Sequence, residues 1–138
     1  MRSLALAVLL AGISSTAFAA DPADITGTWV PVAFSAAEVG TPEAITAADK
    51  PATKHDTAAA WKLTIDTQDG GAFAGTSVSP AGKSGVFVGA FRLDGKRFVI
   101  STTRGGATGE VVGDQLEVCW TDNIANLIAA ACTVYKRQ

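Results

Sequence analysis

Charge, histidine and sulfur are all scarce in this chain. Of its 138 residues 17% are charged, 11 of them Lys or Arg against 13 Asp or Glu, and there is one His and only two Cys. A nucleic-acid binder carries a basic stripe, and these few charges form none. Two cysteines and a distant His55 cannot complete a tetrahedral zinc site, so no metal and no other cofactor is expected. Cys119 and Cys132 are also too far apart for a redox Cys-x-x-Cys pair. Long apolar runs are missing as well. The single candidate, Leu4 to Ile13, falls short of the roughly 20 residues that span a bilayer, and no other follows it. No membrane span is therefore expected in the mature chain.

That short run has another meaning. Arg2 precedes it, and small residues follow it up to Ala17-Phe18-Ala19-Ala20. Ala17 and Ala19 stand where signal peptidase accepts only small side chains, which makes residues 1–19 a signal peptide. Cleavage after Ala20 fits almost as well. The expected product is an exported protein, periplasmic or secreted, with one domain over residues 20–138. Without Arg2 it holds ten basic residues against thirteen acidic ones, a net charge near −3.

What the mature chain has in quantity is turn residues between short alternating segments. Trp61, Leu63 and Ile65 alternate with polar residues, and Asp69-Gly70-Gly71 closes that segment. Further strands are expected over 72–79, 85–92, 97–103, 107–112, 116–121 and 130–136, with turns at Pro80 to Lys83, Asp94-Gly95, Arg104-Gly105-Gly106 and Gly113-Asp114. Asp-Gly and Gly-Gly supply the positive φ that tight hairpins need. One earlier strand, Ile25 to Phe34, brings the total to eight. The long loop after it holds Thr41-Pro42-Glu43, a helix-start pattern, and a short helix from Pro42 to about Lys50 is expected there. The fold class is all-β. A meander of this length buries its edges most simply by closing into an eight-stranded antiparallel up-and-down barrel; a β-sandwich is the alternative.

In an exported chain two cysteines read first as a disulfide. A last hairpin centred between Ala125 and Asn126 sets Cys119 opposite Cys132. The bridge then lies on the outer wall, and Leu116, Val118, Trp120 and Tyr135 face inward.

At Ile25-Thr26-Gly27-Thr28-Trp29 the chain resembles the first strand of the calycin superfamily, the lipocalins and avidins. The resemblance implies a barrel whose Trp29 plugs one end under a basic side chain. Arg137, two residues beyond Tyr135, has the parity to supply that cover. It also implies a small-molecule cavity at the other end. It does not extend to biotin, because Val30, Pro31, Val32, Ala33 and Phe34 offer no polar grip where avidins have one. Short strands also make a barrel that side chains alone can fill.

Three function classes follow. The first is a binding module for a small apolar ligand or a protein partner, with Trp61, Trp120 and Tyr135 as the ligand wall. The second is a structural or protein-interaction domain, such as an envelope accessory or inhibitor, with a filled barrel. An enzyme is the least supported, since no titratable groups converge. His55-Asp56 alone hints at acid–base work, and no nucleophile accompanies it. Arg92, Lys96, Arg97 and Arg104 read as a charged rim.

Overall fold

In the computed structural model, the described residues are 20–40, 50–124 and 127–138, with no side chains described for 123–127. Nine strands alternate with turns: β1 (Gly27–Gly40), β2 (Ala52–Lys54), β3 (Lys62–Asp69), β4 (Ala72–Val78), β5 (Ser84–Phe91), β6 (Arg97–Ser101), β7 (Gly105–Val112), β8 (Gln115–Ile124) and β9 (Leu127–Arg137). All neighbours are antiparallel, β3 to β9 pair in sequence order, and β1 pairs with both β3 and β9. That last pairing closes eight strands into the up-and-down barrel, and the sandwich is set aside. β2 is an addition, held against β1 by Ala36↔Lys54, Ala37↔Thr53 and Glu38↔Ala52. The short helix expected from Pro42 falls, but for Lys50, outside the described residues, as do residues 1–19. The helical element that is described is one 3-10 turn, Thr57–Ala59.

Several boundaries differ from the sequence reading. Gly105 and Gly106 open β7 rather than making a turn, and the chain reverses over Thr102 to Arg104. Trp61 lies just before β3 and is 38% exposed, so the inward alternation begins at Leu63. β1 runs on to Gly40 because the ladder with β9 continues through a bulge between Pro31 and Ala33. A proline has no N–H to give a ladder, and a bulge is where a strand tolerates it. The extra residue, Val32, is exposed, and it restores the phase so that Trp29 before it and Phe34 after it both face inward.

Inward residues form one core: Trp29, Leu63, Ile65, Phe73, Phe87, Phe98, Ile100, Leu116, Val118 and Tyr135 are all buried, with Ile25 beneath them. Burying each of the larger side chains contributes about 1.5–3 kcal/mol. Three of the phenylalanines stand directly across a strand pair from a glycine: Phe73↔Gly89, Phe87↔Gly75 and Phe98↔Gly109. Each ring occupies the space a side chain at its glycine would take. A Cβ at Gly75 would meet Phe87 at 2.7 Å, and one at Gly89 or Gly109 would land in the ring opposite. Phe73, Phe91 and Phe98 also meet edge to face, with ring centres 5.5–5.7 Å apart.

The disulfide lies where the hairpin register requires. Cys119 pairs with Cys132, their Cα atoms 4.0 Å apart, and the bond is formed. Leu116, Val118 and Tyr135 point the other way and are buried.

Candidate functional site

The two ends of the barrel interior are built differently. One end holds the β3–β4, β5–β6 and β7–β8 turns, the start of β1 and the end of β9. Here Trp29 is 2% exposed, its indole N–H donates to the Ile25 carbonyl at 2.8 Å, and the Arg137 guanidinium carbon lies 4.9 Å from the ring centre. Arg137 also donates to the Asp24 carbonyl. Gly27 has φ +115°, a value few L side chains adopt, which explains why the residue two before the tryptophan is glycine. The segment before β1 crosses this end as a strap. The Ala23 N–H donates to the Gly95 carbonyl, and the Gln68 amide donates to the Ala23 carbonyl while accepting from the Ile25 N–H. The Asp24 carboxylate accepts from the Thr26 N–H and hydroxyl, and the N–H bond is the main reason its pKa falls below the ordinary value. This end is sealed.

Towards the other end, inward residues pass from buried to accessible along β1, β8 and β9, whereas on β3, β4 and β6 they stay buried, as at Leu63, Ser77 and Ile100. On β8, Leu116 and Val118 are fully buried, whereas Trp120 and Asp122 are half-buried. On β9, Tyr135 and Thr133 are buried, and Ala131 and Ala129 are half-buried. On β1, Trp29 is buried, and Phe34, Ala36 and Glu38 are half-buried. On the β8, β9 and β1 side the interior therefore opens as a shallow cup above the packed core, towards the end of β8 and the start of β9. Its wall is made largely of small side chains, Ala36, Ala107, Ala129 and Ala131 among them. At the rim, Lys54 on β2 meets the Glu38 carboxylate at 2.6 Å.

The sequence-derived ligand residues take three different places. Tyr135 forms part of the floor; burial pushes its hydroxyl pKa up, partly countered by the side chains of Thr133 and Trp120 beside it. Trp120 packs on the core from the half-buried level above. Trp61 stands outside, at the rim. Trp29 and Arg137 meet at the sealed end. Ser77 and Thr133, the two buried polar side chains among the described residues, were missed. Both were findable by parity, since Ser77 is four residues from Phe73 and Thr133 two from Tyr135.

His55 is exposed, and the Asp56 carboxylate is occupied in capping the 3-10 turn, accepting from the Ala58 N–H at 2.9 Å. Of the charged-rim residues, Arg97 is paired with Asp94 at 2.6 Å. Among the described residues no cluster of three or more His, Cys, Asp or Glu side chains is placed to hold a metal, and no helix is long and apolar enough to cross a membrane. Compared with protein-family models, curated proteins and solved structures, the chain matches none.

Proposed function

We propose that this is an exported, calycin-like binding module that takes a small, largely apolar ligand into the open end of the barrel. The observation that carries the reading is the gradient from buried to accessible along β1, β8 and β9, above a floor of Tyr135 and Thr133. A barrel with one sealed end and one small-walled open end is a container by shape. Trp120 is the ligand wall within the cup, and Trp61 can reach a ligand only at the rim. Export rests on the signal-peptide pattern of residues 1–19 and agrees with a disulfide on the outer wall. The interior is apolar and the outer wall carries Lys62, Glu110, Glu117 and Lys136, the reverse of the polar-in, apolar-out arrangement of a barrel that crosses a bilayer.

A second reading, a protein-interaction domain without a ligand, is favoured by a different observation. The outer faces of β5 and β6 expose Val86, Val88 and Val99 at 68%, 60% and 43%, with Arg97 at the edge of the same face paired to Asp94. Native mass spectrometry of protein purified from its own host separates the two. A small-molecule adduct lost on unfolding is expected. A ligand-free protein that carries a protein partner instead would replace the first reading with the second.

A further inference from the structure

Across the outer wall from β5 to β8 the charges stand in blocks. The cross-strand pairs Arg97↔Glu110 and Glu110↔Glu117 put three of them in one row, and Arg92, whose N–H donates to the Arg97 carbonyl, begins it. Phe91, Phe98, Val111 and Leu116, each one residue away, face the core, so all four charged side chains point outward, and all are exposed. The row reads Arg, Arg, Glu, Glu, with about 4.8 Å between neighbouring strands. A hollow of about 280 Å³ lies along it, lined by all four and reaching Thr108 and Cys119. The next two rows of the same face carry no charge. One runs from Ala90 through Val99 and Thr108 to Cys119, the other from Val88 to Thr121, and Val88 and Val99 are 60% and 43% exposed.

In a lone barrel this order is unfavourable, because like charges directly opposite on neighbouring strands repel. Arg92 has Arg97 beside it, and Arg97 already donates its Nε–H to the Asp94 carboxylate. Glu117 has Glu110 on one side and Val134 on the other. Lys136 stands one row away, opposite Gln115, and among the described residues neither Arg92 nor Glu117 is in an ion pair. An alternating order would relieve both repulsions within one chain. The block order is relieved only by a surface of the reverse order, and a second copy of this chain is such a surface. Turned about a two-fold axis that lies in the interface along the strands, between β6 and β7, Arg-Arg-Glu-Glu meets Glu-Glu-Arg-Arg. β5 then lies over the partner's β8, and β6 over the partner's β7. The same rotation sets Val99 against the partner's Thr108 and Val88 against the partner's Thr121, so the uncharged rows cover each other.

We infer that the outer face of β5 to β8 is a homodimer interface, in which Arg92 of each copy meets the partner's Glu117 and Arg97 approaches the partner's Glu110. The interface stands whether or not the open end of the barrel takes a ligand. The test is sedimentation velocity of the folded protein at low and high salt, with charge reversals at the two exposed ends of the row. The parent protein is a dimer whose association weakens with dilution and with rising salt. Arg92→Glu and Glu117→Arg each set like charge against like at both symmetric contacts, so each alone weakens association by more than about tenfold. Mixed in equal amounts, the two variants carry opposite charges at both contacts and dimerise again. The double variant R92E/E117R also dimerises, with each contact reversed in sign. A parent protein that stays monomeric at every concentration and salt would overturn the interface. So would a dimer indifferent to both reversals, or single variants that fail to recover on mixing.

Discussion

Trp29 and Arg137 are joined by geometry that a single measurement can weigh. The tryptophan is 2% exposed and the guanidinium sits 4.9 Å over its ring, at the seam where β1 meets β9. Trp29→Ala removes a packed aromatic and is expected to destabilise the protein by about 3–5 kcal/mol. Arg137→Ala costs less, since that side chain is exposed. A double-mutant cycle in urea is expected to give a coupling of about 0.5–2 kcal/mol, the range for a cation over an indole face; strictly additive effects would show that the lid contributes no stability. Asp94 offers a test of another kind. Its carboxylate accepts from the backbone N–H groups of Arg97 and Lys96 and from the Arg97 side chain, and these bonds lower its pKa from 3.8 to about 2. The turn's contribution is therefore whole above about pH 4 and is lost as the pH falls through 4 towards 2. Unfolding titrations of Asp94→Asn and the parent protein should differ at pH 5 and converge by pH 2. A gap that does not narrow would mean that the carboxylate's charge is irrelevant to the turn.

The strands were legible wherever a residue's polarity and its position agreed. Leu63/Ile65, Phe98/Ile100 and Leu116/Val118 alternate cleanly, and each pair is buried. The last hairpin was legible to the residue, because the cysteines fixed its register. β2 was not, for its three residues are all exposed and pair only with β1, so no alternation marks them. The bulge after Pro31 hid the second half of β1 by shifting its phase. In the cup, Trp120 and Tyr135 could be found as aromatics, whereas Ser77 and Thr133 look like ordinary surface residues until their strand parity is followed. The glycines facing the phenylalanines, Gly75, Gly89 and Gly109, carry no sign of a packing role in the sequence, and that role appears only with the register. Gly109→Ala should accordingly overpack the wall against Phe98 and destabilise by about 1–3 kcal/mol. Thermal melting alongside Gly82→Ala, a turn position with open space around it, would show whether the ring or the backbone is responsible. The disulfide closes a separation of 13 residues on a hairpin whose register the ladder also holds. Reduction should remove up to about 3 kcal/mol and lower the melting temperature while the barrel stays folded. Loss of cooperative unfolding on reduction would make the bridge a condition of the fold instead.

As a whole the molecule is one sheet rolled until its first strand meets its last. The β1–β9 ladder runs from Trp29↔Arg137 to Gly40↔Leu127 and is the longest in the barrel, and all the others within it join strands that follow one another in sequence. A chain ended after Ile124 would keep β3 to β8 as a meander and leave β1 and β8 as free edges. Size-exclusion chromatography should then find it as aggregate rather than monomer, and a monomer with a cooperative melt would show that β9 is dispensable. The seam also sets an order in time. Hairpins from β3 to β8 need only local loops, whereas Arg137 and Asp24 must find each other from 113 positions apart. Loop-closure entropy is spent before any contact at that seam forms, so closure is the slow event, and topologies of this kind fold in milliseconds to seconds. The strand that emerges first waits, unpaired on one side, for the strand that emerges last. Until then the barrel lacks its β1–β9 wall, and the ligand site proposed for its open end does not exist.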